Sequence, residues 1–384
     1  MQGGEFLDAL TVDDVRRRAG TKWASVDGRL AAWVADMDFP VASPIVERLV
    51  ALANGDLGYP DWPSIGRSRL PDAFAERMST RFGWRPDTPR LHELADVMQG
   101  VAAVIHHLTR PGDGIVLHLP AYHPFLSLLE RTGRRRVDVP AELVNDGWRF
   151  DHDALDARLS DEPARVLLLC HPHNPTGHVF DRRELEHLAE IADRHDLVVV
   201  SDEIHAELVY PPHEHIPFAA LGAEVEARTV TVTSSSKAFN LAGMRWAILH
   251  AGCVALDDAL RALPSHYLGA PNVMAVAATE AAWSDGDAWQ AAVAARLDTN
   301  RHLLAELLGV HLPGVRYCVP DATYLAWLDC RALGLGDDPA TTFRERGVEL
   351  SPGPRFGPQG AGFARLNFAT APSVLEQVVR AMAG

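Results

Sequence analysis

The chain has 384 residues, 47% of them apolar, enough to bury a sizeable core spread over two or three domains. Its 36 basic and 51 acidic side chains leave a formal charge of -15, and no block of five basic residues occurs, which argues against affinity for nucleic acid or an anionic membrane. Four dispersed cysteines, Cys170, Cys253, Cys318 and Cys330, suggest neither a disulfide framework nor a CxxC metal site and read as buried thiols.

The first twenty residues, MQGGEFLDALTVDDVRRRAG, have neither the basic start nor the apolar run of a secretory signal, and no later segment approaches 18 uninterrupted apolar residues. A cytoplasmic protein is expected. Gly100 to Leu108 reads as a helix opening on small residues, and Gly114 to Leu119 as a strand. Val166–Cys170, Leu197–Ser201 and Thr229–Thr233 are short, largely branched and bounded by polar or proline-containing segments, as strands of a parallel sheet buried on both faces are. Between the first two, Asp181 and Glu184 have the spacing of a capping box, and Leu185, Leu188, Ile191 and Ala192 continue at helical spacing. After about residue 270 the texture changes to long helical stretches, Asn272 to Trp283 and Trp289 to Leu308, followed by short strands at Thr323–Leu328 and Ala364–Ala369. The fold class is therefore α/β, a mostly parallel central sheet with helices on both faces, joined to a smaller α+β domain.

In an open parallel sheet the site forms beyond the carboxyl ends of the strands. Asn174, Asp202 and Lys237 follow three such ends and bring an amide, a carboxylate and an amine to one rim. Singly each has a plainer reading, since Asn174-Pro-Thr-Gly177 is a good turn and an aspartate after a strand often caps the next segment. Together they suit pyridoxal 5'-phosphate. The lysine condenses with the aldehyde, the carboxylate keeps the pyridine nitrogen protonated, and Asn174 donates to the ring hydroxyl. Ser234, Ser236 and Arg245, with backbone N–H groups near Gly100 and Val101, would take the phosphate.

HPHNPTG (171–177), SDEIHAELVY (201–210) and SSSKAFNLAGMR (234–245) resemble the three signatures of the fold-type I, class I/II aminotransferase-like pyridoxal phosphate enzymes. KWASVDGRLAAWVADMDFP (22–40), TYLAWLDCRALGL (323–335) and SPGPRFGPQGAGFARLNFA (351–369) resemble the PatB/MalY-type cystathionine β-lyase branch. The resemblance runs from about Lys22 to Met382 and implies a homodimer with shared active sites. It also implies an arm and part of a small domain over residues 1–45, a large cofactor-binding domain over 46–275 and a small carboxyl-terminal domain over 276–384.

On the same resemblance Lys237 would be the Schiff-base lysine, Asp202 the partner of the ring nitrogen, Asn174 a contact of the phenolic oxygen and Tyr122 a stacking partner of the ring. Gly100, Val101, Ser234, Ser236 and Arg245 would hold the phosphate, Tyr59 would reach the phosphate of the neighbouring subunit, and Arg365 would receive the substrate carboxylate. His205 would approach the cleft, where Trp33, Asp36 and Met37 are further candidates for the substrate and leaving-group side. The branch often has an aspartate after KW, where Ala24 stands here.

The implied reaction is α,β-elimination from an amino acid with a sulfur leaving group. Transamination uses the same strand-end residues and is the alternative; a regulatory or binding protein that has kept the fold is a second one. His171, His173, His205, His213 and His215 cluster in sequence, yet no HExxH occurs, and they read as solvated or hydrogen-bonding histidines rather than metal ligands. Gly357 to Gly362 resembles a dinucleotide loop without its strand–turn–helix context and reads as a mobile loop before Arg365.

Overall fold

Short branched runs become central strands because only side chains compact at Cβ pack on both faces of a sheet at once. A computed structural model describes residues 5–55, 57–60, 68–144, 147–264 and 267–384. An eight-stranded sheet has the order Leu91–Leu94, Ala247–Ala251, Thr229–Thr233, Val198–Asp202, Val166–Cys170, Gly114–Leu119, Arg135–Val144 and Gly147–Phe150. The five from Thr229–Thr233 to Arg135–Val144 run parallel. Ala247–Ala251 pairs antiparallel with both its neighbours, and Gly147–Phe150 folds back antiparallel on Arg135–Val144. The sheet is thus parallel at its centre and mixed at its edges.

Period-two alternation divides the core between two faces. Ile115, Leu117, Val166 and Leu168 pack with the helix Val97–Leu108, whereas Val116, Leu167 and Leu169 pack with the helix Arg182–Arg194. The expected capping box is present: Asp181 accepts from the Glu184 N–H and Glu184 from the Asp181 N–H, each at 2.9 Å. Such a cap is worth about 1 kcal/mol.

A smaller antiparallel sheet has the order Arg316–Tyr317, Leu325–Asp329, Phe363–Asn367 and Ser351–Pro352. It packs through Leu325, Leu328 and Leu366 against the helices Asp287–His311 and Pro372–Ala383. Leu30–Ala31 pairs in parallel with Val348–Glu349, so the amino-terminal segment is stitched beside this second sheet. From there residues 33–39 run toward the large sheet. Asn367 donates to the carbonyls of Val34 and Asp36, and Asn240 to those of Met37 and Phe39.

The turn before Gly177 is clamped from the other side, its carbonyl accepting the N–H groups of Asp321 and Ala322 at 3.1 and 3.0 Å. Gly177 has φ 73°, and a Cβ there would lie 2.2 Å from Pro320, so both conformation and close approach demand glycine. Among the described residues no helix is long and apolar enough to cross a membrane. Cys170 and Cys330 are buried, while Cys253 and Cys318 are only partly so, against the expectation of four buried thiols.

Beneath the sheet edge lies a group of histidines buried without charge. His118 and His152 meet Nε2 to Nε2 at 3.1 Å, packed with Phe150, Phe180 and His173. Burial depresses their proton affinity: His118 falls well below the usual imidazole range, His152 to about 4 and His173 to about 3. The unfolded chain takes up protons from about pH 6.5 downward, while the folded chain resists until about pH 4. Stability is therefore full above pH 6.5 and lost below it, each such histidine adding a slope of about 1.4 kcal/mol per pH unit. Urea unfolding between pH 7 and pH 4.5 is expected to show a falling midpoint, and His152→Gln a shallower fall; equal slopes in the two proteins would contradict the assignment.

Candidate active site

Three parallel strands end side by side. Cys170 pairs in register with Asp202, and Asp202 with Val232, so both neighbours fix the Asp202 backbone. The sequence reading ends this strand at Ser201; in the structure Asp202 is its last residue. By alternation Cys170, Asp202 and Ser234 face the side of the helix Val97–Leu108, where a cavity is lined by Tyr122, Asn174, Asp202, His205, Ser234, Ser236, Lys237 and Arg245. Ala35, Ala95 to Met98, Cys170, Ile204, Ala242 and Trp246 complete it.

Lys237 borders this open cavity and keeps some exposed surface, yet its amine lies deep among protein atoms and donates to the Ala35 carbonyl at 2.7 Å. Desolvation lowers its proton affinity, opposed by Asp36 and Asp202 and assisted by Arg365. Asp202 is 4% exposed and accepts from the Ile204 N–H at 3.1 Å. Burial raises its carboxyl to about 7, with Glu203 adding to the rise and the Ile204 hydrogen bond and Lys237 opposing it. A buried carboxylate with one backbone donor stays ionised only when a cation faces it, as the ring nitrogen of pyridoxal phosphate would. His205 is held neutral by burial at about 3 and leaves Nδ1 without a protein partner. Tyr122, at the start of the helix His123–Arg131, lines the cavity and is kept protonated by burial, with the charge of Arg365 opposing that shift and Asp202 adding to it.

At the other end of the cavity the structure departs from the sequence reading. The helix opens at Val97, not Gly100, because Asp96 caps it by accepting the Gln99 N–H at 2.7 Å. The N–H groups that a helix start leaves without internal partners therefore belong to Val97 and Met98, which line the cavity. Gly100 and Val101 lie a turn further in and do not line it. Gly100 is required by packing instead: a Cβ would meet Leu94 at 2.8 Å and Val232 at 3.1 Å. Arg245 forms an ion pair with Asp96 beside this helix start. Ser234 Oγ donates to the Trp246 carbonyl at 2.6 Å and accepts the Ser236 N–H at 3.1 Å, which ties both serines to the same rim.

Arg365 comes from the smaller sheet and is 3% exposed. It donates to Asn174 Oδ1 at 3.0 Å, to the Trp33 carbonyl at 3.1 Å and to Ser351 Oγ at 3.3 Å, and it stacks over Phe356 at 4.9 Å. Its Nε has no protein partner, and burial lowers its proton affinity to about 10. All these partners are neutral. A buried guanidinium without a carboxylate is an anion receptor.

Trp33, Asp36, Met37 and Tyr59 do not line the cavity. Trp33 reaches Arg365 through its carbonyl, Asp36 follows the lining residue Ala35, Met37 is buried against Asn240, and Tyr59 is fully exposed on the surface. The remaining histidines have ordinary partners: His171 the Ile216 carbonyl, His173 Thr176, His213 Asp321 and His215 Glu203.

The support beneath Ala35 was not read from sequence as an interaction. Lys22 pairs with Asp38 at 3.0 Å and donates to the Asp36 carbonyl, while Trp23 donates to Asp38 at 2.7 Å. The KW and DMDF segments were visible, but their contact was not. Ala24 is exposed, so the missing aspartate falls on the surface.

The sequence profile of the aminotransferases of class I and II matches residues 64–382. The chain is 37% identical to a putative cystathionine beta-lyase of Mycobacterium leprae, over 98% of this chain and 97% of that protein. It is 34% identical to cystathionine beta-lyase PatB of Bacillus subtilis, over 97% and 98%. The crystal structure of Treponema denticola cystalysin, which contains a pyridoxal 5'-phosphate cofactor, superposes with a TM-score of 0.90 at 25% identity, covering 98% of this chain and 97% of that one. The chain belongs to the class I and II aminotransferase family.

The raised Asp202 carboxyl makes a signed prediction for the cofactor-free chain. The unfolded carboxyl ionises near 3.8 and the folded one near 7, so the folded state loses stability as pH rises through that window. Asp202→Asn retains the acceptor for Ile204 and removes the charge. Calorimetry is expected to show the variant gaining stability over the wild type progressively from pH 4 to pH 7 and levelling off above; a pH-independent difference would refute this.

Proposed function

We propose that the chain is a pyridoxal phosphate-dependent carbon–sulfur β-lyase that cleaves L-cystathionine or a related cysteine S-conjugate to a thiol, pyruvate and ammonia. The observation that carries the reading is the buried Arg365 guanidinium, without an anionic partner, set on Asn174 at the edge of a cavity that holds Lys237 and Asp202. The relatives named as cystathionine beta-lyases support the choice of elimination.

When bound, the cofactor supplies an electron sink for the pair released at Cα. Arg365 takes the substrate carboxylate through two charged hydrogen bonds and fixes Cα above Lys237. The Lys237 amine, with proton affinity reduced by burial, is available uncharged to accept the Cα proton. The Cβ–S bond breaks with its electron pair on sulfur, and the thiolate is protonated as it leaves. The three-carbon enamine left behind takes up water and yields pyruvate and ammonia. Asp202 would keep a proton on the ring nitrogen, and Tyr122 would cover the ring. Val97, Met98, Ser234, Ser236 and Arg245, which line the same cavity, would hold the phosphate.

A homodimer with shared sites belongs to the same reading. Tyr59 is fully exposed and does not line the cavity of its own chain, and Leu57, Val46 and Val50 are exposed apolar neighbours in sequence or on the helix Ser43–Ala53. Such a surface suits a second copy, which would place Tyr59 at its partner's phosphate.

Transamination needs the same amine and the same carboxylate clamp, so products separate the two reactions. Supplied with L-cystathionine or an S-alkyl cysteine, the protein is expected to release pyruvate and thiol in equal amounts. Arg365→Ala is expected to lower kcat/KM at least about 30-fold, the cost of unpairing one buried charged contact. Amino-group transfer to a keto acid, with no thiol formed, would overturn the lyase reading.

A further inference from the structure

We propose that Tyr324 is a positioning residue for Lys237: its hydroxyl holds the Ala35 carbonyl on which the lysine amine docks whenever that amine is free. The use made of the amine rests on the lyase reading; the docking does not.

The Ala35 oxygen accepts from Lys237 Nζ at 2.7 Å and from Tyr324 Oη at 2.9 Å. Tyr324 is 1% exposed and directly precedes the strand Leu325–Asp329, which pairs with the strand that carries Arg365. Its ring meets His205 edge-on at 6.2 Å. Thr323, next to it, is held from both sides: Tyr210 Oη donates to its carbonyl, and its own hydroxyl accepts the Leu325 N–H at 3.1 Å. The Tyr324 hydroxyl is therefore fixed by the smaller sheet.

Ala35 sits in a segment whose successive carbonyls each have a side-chain donor. Trp33 has Arg365 and Ser351, and Val34 and Asp36 have Asn367. Of these four, the Ala35 carbonyl alone accepts from Lys237 as well as from its own permanent donor. A buried carbonyl left without a donor costs free energy, so a carbonyl whose second donor departs during turnover needs one that stays. Tyr324 is that donor. With it, the carbonyl keeps its place while the amine is engaged, and the amine returns to an acceptor that stabilises its ammonium form once it has taken a proton. The charged and titratable groups facing Lys237 are Asp36, Asp202, Arg365 and His205, and Asp36, Arg365 and Tyr210 face Tyr324. All of them persist when the hydroxyl alone is removed.

The test compares Tyr324→Phe with Tyr317→Phe, which removes a hydroxyl of the same smaller sheet that donates to the Arg301 carbonyl. Two quantities are read: the pH midpoint for acetylation of Lys237 in the cofactor-free full chain, by peptide mass spectrometry, and the exchange of the substrate Cα hydrogen in deuterated water by the loaded enzyme, by NMR. Tyr324→Phe is expected to lower the midpoint and to slow exchange about 3–10-fold, the worth of one neutral hydrogen bond, with cofactor content and KM unchanged. Tyr317→Phe is expected to change neither. A midpoint unmoved or raised in Tyr324→Phe, unchanged exchange, or equal effects in both variants would overturn the proposal. So would a Tyr324→Phe chain that fails to fold while Tyr317→Phe folds, since the hydroxyl would then be structural. Exchange at Cα precedes any C–S cleavage, so an enzyme that exchanges but releases no thiol fails the lyase reading and leaves this one standing.

Discussion

A lysine amine and an aspartate carboxylate held in one desolvated cavity, neither with a full set of hydrogen bonds, set the terms for everything around them. Burial pushes Lys237 toward its neutral form and Asp202 toward its protonated form, so each resists the charge it would carry in water. The sheet keeps them there by register rather than by mutual attraction: Asp202 is bonded between Cys170 and Val232, and Lys237 follows the adjacent strand. On the proposed function, a cationic ring nitrogen and an aldehyde would supply the charge and the bond that the protein withholds.

The second sheet supplies the side chains that hold the segment beside this seat. Arg365, Ser351, Asn367 and Tyr324 all reach from it to the carbonyls of residues 33–36, so one short segment links the buried Arg365 guanidinium to the carbonyl on which the Lys237 amine rests. The buried Lys22–Asp38 pair braces that segment from behind, with the Trp23 N–H satisfying the same carboxylate oxygen that Lys22 approaches. Removing either partner would leave a buried charge uncompensated, which is costlier than the pair is worth when complete.

The central strands were legible because burial on both faces forces a run of branched residues, and the strand-end amide, carboxylate and amine followed from topology. The edges were not: Ala247–Ala251 and Gly147–Phe150 are as apolar or as mixed as parallel strands, and nothing local encodes their direction. The start of the helix Val97–Leu108 is hard to place from sequence because Gly100, which packing requires inside the helix, mimics a helix opening, while Asp96, the residue that caps it, precedes a Val-Met pair with no start signal of its own. Carbonyl-to-side-chain contacts such as Asn367 to Val34, or Tyr324 to Ala35, span hundreds of residues and leave no periodic trace. Tyr59 entered only through family resemblance, and within its own chain it stands exposed, away from the residues that line the cavity.

The central claim is that the amine of Lys237 is the covalent anchor, and borohydride reduction of the protein loaded with pyridoxal 5'-phosphate tests it most directly. Peptide mapping of the reduced protein is predicted to find one stable pyridoxyl group per chain, on Lys237, and none in Lys237→Ala. A label on another lysine, or no label in protein that has bound the cofactor, would contradict the account.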